Sequence, residues 1–555
     1  MSAARRAPSR HGVGSAIASA PRAGQPESAW RFPARAAACT VRAVTEGVHS
    51  GREHRGDLTL DCDVVVVGSG AGGATVATEL ALAGQRVLVL EEGRNVPHED
   101  QGLMRASESL RSHWREGAVT AALGIGGAPT VNVTMGTCIG GSSVVTGGVC
   151  FRVPDHISNK WATEMGMPEL DAKGLDPFYS HVEKAIHVEE VPVSMRSRST
   201  ALFAEGCDKL GIPLHPIRRN TKGCEGCGRC NFGCPHGAKM SVDVSYLPRA
   251  IAAGAEVWSE VLVDRIEIAH GRAVGVVGRL KNGARGAPSG RLRVHARRVV
   301  VACGGIHTPV LMKQSGLGGI GSQVGENLTL HPGFRVFARF DEVVRGWAGA
   351  LQSAYTDHFH EESITPTGLF IPASMIAAQL PGVGPEHARL AEQVAHIAMF
   401  GCQLHDDGGG SILRIPFMRE PLVLYRSTPH DRRAMSNAIR RLGEIFLAAG
   451  ARELFLPILG MGGLSPDAFR KIDLDALPAS RLETASQHPL GSCRMGSSAQ
   501  SSAVDRFGQS WDVQDLYLAD GSIIPSSLGV NPQLTIMAMA TRIAWHLSEK
   551  PLPTH

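Results

Sequence analysis

Apolar and polar positions follow two regimes along this chain. Val64-Val65-Val66-Val67 is an unbroken apolar run of strand length, the pattern of a parallel strand covered on both faces. The turn Gly68-Ser69-Gly70-Ala71-Gly72-Gly73 follows, then residues 74–83 with small and apolar positions on one helical face, closed by Gly84. Residues 86–90 return to a buried-strand pattern that ends on Glu91. Strand, glycine turn, helix and strand predict a βαβ unit, whose right-handed crossover sets the two strands side by side with their carboxyl ends in one crevice. A second strand-rich stretch spans 255–301 and includes Val261-Leu262-Val263, 273–277 and 299–302. Residues 335–482 mix strand-like and helix-like patterns without a nucleotide motif, which assigns them to the substrate side. From Leu516 the chain returns to strand and closes with an amphipathic helix expected over 534–547. No repeat occurs at a solenoid period.

At 555 residues the chain exceeds one compact core and predicts two domains. Hydrophobic residues at 43% against 19% charged sustain a buried interior. Residues 1–57 hold nine Arg, no Lys and four acids without apolar periodicity. They predict a disordered tail, and their acid-poor, Arg-rich composition is also that of a targeting segment. Arg5-Arg6 lacks the apolar region that an export signal needs. The tail's net +5 leaves the rest at −1 of the total +4, which excludes a phosphate-neutralising nucleic-acid surface. No stretch reaches the ~18 uninterrupted apolar residues of a membrane span; the best candidate, 445–464, is broken by Arg452 and Glu453. Any membrane contact is therefore expected to be peripheral. The excess of Arg over Lys, as GC-rich coding produces, gives a bacterial cytoplasmic protein as the expected location.

The glycine turn carries the first chemistry. Gly68 permits the tight turn, Gly70 lets backbone approach a pyrophosphate, and Gly73 lets helix and strand pack closely. The helix N-terminus adds free N–H groups and a positive dipole end. Glu91, 23 residues after Gly68, stands where a carboxylate accepts bonds from ribose hydroxyls, and its charge disfavours a 2′-phosphate. These residues predict a dinucleotide site and leave NAD and FAD both open.

Further motifs narrow the choice. Gly136-Thr137-Cys138-Ile139-Gly140-Gly141-Ser142-Ser143 with Gly147-Gly148 and Phe151-Arg152-Val153-Pro154 resembles the first signature of the glucose–methanol–choline (GMC) flavoprotein oxidoreductases. Thr308-Pro309-Val310-Leu311-Met312 with Ser315-Gly316-Leu317-Gly318 resembles their second signature, and Gly325-Glu326-Asn327-Leu328 with His331-Pro332 the segment after it. His488-Pro489-Leu490-Gly491-Ser492-Cys493-Arg494-Met495-Gly496 is similar to the catalytic-histidine segment. Asp520-Gly521-Ser522 and Gly529-Val530-Asn531-Pro532 are similar to the last flavin loop, most of all in the cholesterol oxidase and long-chain alcohol oxidase branches. Thr146 stands where many members carry Asn, and Gly305 where a small alanine-like residue is usual.

The resemblance implies an α/β fold: a Rossmann-type FAD-binding domain with a parallel sheet (58–155, 241–334 and 483–555) and a substrate domain on a largely antiparallel sheet with helices (156–240 and 335–482). It implies a cofactor lining of Gly136, Gly140, Gly141, Ser142, Ser143, Thr146, Gly147, Val263, Asp520 and Gly521 beside Gly68, Gly70, Gly73 and Glu91. The FAD is expected to be non-covalent, since 131–139 holds no His. His488 and Asn531 are implied to be catalytic in the oxidation of an alcohol, expected to be hydrophobic, long-chain or sterol-like, to an aldehyde or ketone. Oxygen or another electron acceptor would complete the cycle.

The chemistry suits those side chains. Complete proton transfer from an alcohol to a free imidazole is uphill by about 12 kcal/mol. The base therefore takes the proton as hydride leaves, while Asn531 helps to hold the hydroxyl. The helix after Pro532 would aim its N-terminus at the flavin pyrimidine and stabilise negative charge on the reduced ring. An NAD-dependent dehydrogenase would need a second glycine fingerprint, which the sequence lacks. A hydroxynitrile-type lyase that retains FAD stays as an alternative.

Cys224-x-x-Cys227-x-x-Cys230-x-x-x-Cys234-Pro235 has the spacing of a ferredoxin cluster loop. A similar Cys/Gly loop occurs in long-chain alcohol oxidases before Gly-Ala-Lys-x-Ser, here 237–241. Free thiols, an iron–sulfur cluster and a structural zinc all remain open. With a cluster, a dehydrogenase relaying electrons to a protein or quinone acceptor becomes a further alternative.

Overall fold

The valine run forms the end of the strand Leu58–Val67, paired in parallel with Val87–Leu90 on one side and Pro288–Val301 on the other. In this computed structural model, which describes residues 47–281, 288–319 and 321–552, these strands centre an eight-stranded sheet. Its order is 48–50, 256–259, 87–90, 58–67, 288–301, 272–281, 261–269, with 516–518 also parallel to 288–301. The 261–269, 272–281 and 288–301 strands form an antiparallel meander at one edge. Helices Ala71–Leu82, Ala172–Ala185 and Gln533–Leu547 share the core on this sheet.

A second sheet of eleven strands runs 410–413, 422–426, 121–125, 131–133, 484–486, 333–339, 397–404, 364–369, 352–355, 215–216, with 453–455 also on 333–339. It is antiparallel except where 422–426 meets 121–125 and 484–486 meets 131–133. Helices Arg198–Lys209 and Pro429–Ala449 cover it over a separate core. Thr428 and Asp431 form a reciprocal capping box at the start of the longer helix.

Several expectations change. The tail is shorter than 1–57: Val48–Ser50 pairs in parallel with Glu256–Ser259, and His49 stacks on Trp258 at 4.8 Å. A three-residue strand is too short to show a period. Residues 1–46, and with them the targeting reading, lie outside the described residues. The last helix is not amphipathic, because Gln533–Leu547 is buried on nearly every face. The strands at 121–133 join the second sheet although they fall in the segment expected for the first domain. Conversely, residues 157–186 pack in the first core, with Phe178 5.3 Å from Trp545 and the Tyr179 hydroxyl 2.9 Å from Thr535.

Candidate active site

Gly68 turns the chain at φ +103, and a Cβ there would lie 2.2 Å from the Ala302 carbonyl. A side chain on Gly73 would meet the Gly68 carbonyl at 2.0 Å, so helix Ala71–Leu82 abuts the strand end. The helix has no side-chain N-cap and no acid in its first turn, leaving its N–H groups free for an anion. Glu91 is braced by Ser69, whose N–H and hydroxyl both donate to one carboxylate oxygen (3.0 and 2.7 Å), while Gly93 N–H donates to the other. Ser69 Oγ in turn accepts from Gly140 N–H at 3.0 Å, which joins the glycine turn to the 136–143 loop.

A cavity of about 580 Å³ runs from these residues to His488 and Asn531. Gly68, Gly70, Glu91, Gly136, Gly141, Ser142, Ser143, Thr146, Gly147, Val263, Asp520 and Gly521 line it; Gly73 and Gly140 do not, since Gly73 lies against the Gly68 carbonyl and Gly140 against Val144 and Asp243. Asp520 accepts from Gly304 N–H and Ser522 N–H, both at 2.7 Å, and so ties two backbone turns together. Thr146 donates its hydroxyl to Gln533 Oε1 at 3.3 Å, and the buried Nε2 of Gln533 has no partner in the protein. A donor left unsatisfied at the start of helix Gln533–Leu547, in the cavity wall, fits a cofactor carbonyl. The residues present therefore fit the expected dinucleotide.

Strand Thr484–Ser486, wedged between 131–133 and 333–339, delivers His488. Ser486 Oγ donates to the Leu330 carbonyl and accepts from His488 N–H. Asn531 Nδ2 lies 3.3 Å from His488 Nε2, and Gln403 Nε2 donates to Asn531 Oδ1 at 3.4 Å. With the amide as donor, Nε2 carries the lone pair and the ring proton sits on Nδ1. Burial lowers the His488 pKa to about 4, so the imidazole is neutral and able to accept a proton.

His331 packs edge-on against His488 with ring centroids 5.4 Å apart. Its Nε2 accepts from Leu528 N–H and Gly529 N–H (2.9 and 3.3 Å), and burial keeps the ring neutral. Its backbone sits at φ +49, strained for a non-glycine residue. Asp406 holds it there by accepting from Leu330 N–H and His331 N–H (3.0 and 3.1 Å). His331, Gln403 and Gln533 escaped the sequence reading as site residues; only His331-Pro332 carried a motif signal, and the glutamines carried none.

One consequence is kinetic. A base must be unprotonated to act, and a lowered pKa extends that form to more acid pH. kcat/KM is expected to stay level from about pH 8 to about 5 and to fall only toward pH 4. A pH profile with its acid limb near the free imidazole value of about 6.5 would contradict the burial of this base.

The cysteine loop lies against the same cradle. Arg219, 1% exposed, donates to the Gly147 carbonyl (2.7 Å) and to Cys230 Sγ (3.1 Å). Lys239, 2% exposed, donates to the carbonyls of Val144 (2.6 Å), Thr146 (2.9 Å) and Cys230 (2.7 Å), and its backbone N–H to Cys234 Sγ. Neither cation reaches a carboxylate at salt-bridge distance among the described residues. Thiols Cys224 and Cys230 face Arg219, and Cys230 and Cys234 oppose the burial that lowers the Lys239 pKa. Among the described residues no three thiol sulfurs come within 4.8 Å of one another. Thiolates around one tetrahedral zinc lie about 3.8 Å apart, from Zn–S bonds of ~2.3 Å, so this spacing does not match the zinc expectation.

Family models described as GMC oxidoreductase match residues 62–333 and 419–540. An uncharacterized GMC-type oxidoreductase of Mycobacterium tuberculosis is 37% identical over 484 residues, covering 87% of this chain and 75% of that protein. A long-chain-alcohol oxidase of Arabidopsis thaliana is 29% identical, covering 90% and 69%. The crystal structure of pyridoxine 4-oxidase from Mesorbium loti superposes with a TM-score of 0.66 at 18% identity, covering 87% and 99%.

Proposed function

This chain belongs to the GMC oxidoreductase family, and from that premise we propose that it oxidises an alcohol CH–OH to the aldehyde or ketone with His488 as base. The observation that carries the proposal is the His488 Nε2–Asn531 Nδ2 pair, 3.3 Å apart on the wall of the cavity that begins at the glycine turn. FAD bound in that cradle supplies the acceptor for the carbinol hydride.

The protein's own groups do the rest. His488 Nε2, neutral through burial, accepts the hydroxyl proton as the C–H bond breaks, so little charge accumulates. A bound hydroxyl takes the place of the direct Asn531–His488 contact, so that Asn531 Nδ2 donates to the same oxygen, and Gln403 fixes the amide's orientation by donating to its Oδ1. Holding the hydroxyl at two points sets the carbinol C–H in one direction, which is worth several kcal/mol of positioning. The long-chain or sterol-like alcohol expected from motif resemblance meets a mixed wall. Val149, Phe334 and Leu369 are apolar, but Arg335, Gln352, Thr367 and Gln403 line the same cavity, which gives a polar alcohol partners for its second polar group.

A second reading concerns the electron acceptor. Two buried cations without carboxylate partners among the described residues, facing Cys224, Cys230 and Cys234, supply positive charge of the kind that a cluster of thiolates requires. A four-iron cluster spaces its thiolates more widely than a single ion does, because each binds a different iron. We propose it as a relay to a protein or quinone acceptor.

Anaerobic mixing of purified holoenzyme with a panel of alcohols is expected to bleach the oxidised flavin absorbance. Aldehyde release with the flavin oxidised throughout would replace oxidation by the lyase reading. Iron and acid-labile sulfide in the same sample are expected for the relay, and their absence leaves four free thiols and direct reaction with oxygen.

A further inference from the structure

Arg335 is a charged side chain inside the cavity that no carboxylate among the described residues neutralises. It lies on Gly333–Arg339, an inner strand of the second sheet, whose residues alternate between two faces. Phe334, Val336 and Ala338 pack into the core with helix Pro429–Ala449. Gly333 and Arg335 line the cavity, and the partial exposure of Arg335 is exposure to that space. Arg339, at the end of the same strand, donates to Glu453 at 3.1 Å. Arg335 has no hydrogen bond or ion pair within the protein among the described residues, and burial lowers its pKa. Leaving an enclosed guanidinium unpaired is costly, so the position is arranged for a group from outside.

Strand register places that group. Arg335 pairs across to Gly401, which pairs to Thr367; a Cβ on Gly401 would meet Leu369 Cδ2 at 2.4 Å, so Leu369, also in the cavity wall, lies against the cross-strand partner of Arg335. Gly333 pairs to Gln403, the residue that orients Asn531. Arg335 is two residues further on, about 7 Å along the strand. A molecule whose hydroxyl rests on His488 and Asn531 therefore reaches Arg335 with a second group a few bonds away.

We propose that Arg335 binds a carboxylate on the substrate, making this an oxidase or dehydrogenase of hydroxy acids. The inference rests on the alcohol-oxidising function above. One guanidinium offers a planar fork and one charge, which match a single carboxylate. Thr367 and Gln352 in the same wall offer neutral polar groups.

The test separates binding from turnover. Straight-chain carboxylates from acetate to hexanoate, and their primary amides, are titrated by calorimetry into oxidised holoenzyme, wild type and R335M, R335Q and R335K. At least one carboxylate is expected to bind tenfold or more tighter than its amide, with the preference lost in R335M and R335Q, partly kept in R335K, and FAD content unchanged. Equal binding of acid and amide throughout, survival of the preference in R335Q, or loss of FAD on every substitution would overturn the assignment. If carboxylates bind through Arg335 but no hydroxy acid bleaches the flavin while another alcohol does, the hydroxy-acid assignment falls and alcohol oxidation stands; if no alcohol of any kind bleaches it, alcohol oxidation falls.

Discussion

H488A is expected to bind FAD as the wild type does and to reduce it at least about a thousandfold more slowly in anaerobic single-turnover mixing, within the range of general-base catalysis. The loss is selective because His488 enters the local fold through its backbone. Its N–H donates to Ser486 Oγ, and Thr484–Ser486 stays clamped between two strands whatever side chain follows. Among the described residues, the only side-chain hydrogen bond removed is the one to Asn531, which Gln403 still holds. The acid limb near pH 4 should vanish together with the rate, since its titrating group is gone. A variant that reduces flavin at more than a tenth of the wild-type rate would remove His488 from the chemistry.

K239M is expected to have the largest effect on stability. The Lys239 ammonium satisfies three buried carbonyls at once, those of Val144, Thr146 and Cys230. Methionine fills the space but donates nothing, and each buried acceptor left without a partner costs about 1–3 kcal/mol. A loss of at least about 3 kcal/mol follows, read as a fall of several degrees in Tm. Two of the three carbonyls belong to the loop that contributes Ser143, Thr146 and Gly147 to the cofactor cradle, so FAD should also dissociate more readily. The readout is flavin retained after gel filtration alongside the melting curve. An unchanged Tm with full FAD content would mean that water or a neighbouring donor already serves those carbonyls.

The two variants probe regions that differed in how legible they were. The βαβ unit was readable because each of its signals is local: a valine run covered on both faces, a turn that admits only glycine at φ +103, and a helix beginning without an acid. Resemblance carried His488 and Asn531, which the chain brings together from 43 residues apart. The strand at 48–50 went unseen because three residues cannot display a period, and it gains its place from Trp258 stacking on His49. The amphipathic helix expected over 534–547 is Gln533–Leu547, buried on nearly every face. Its outward polar positions are in fact buried, as with Arg542, which donates to Glu169 at 3.0 Å.

The order of elements, the glycine turn with its acid, and the four-cysteine spacing were determined by sequence alone, because propensity and turn geometry act within a few residues. Tertiary structure alone decided which strands meet in the second sheet, and therefore that Gln403 orients Asn531, that His331 abuts His488, and that Arg335 faces the cavity unpaired. These contacts join strands far apart in the chain. Their partners are selected by burial and by the completion of backbone hydrogen bonds across the whole sheet, and neither leaves a short-range trace in the order of residues.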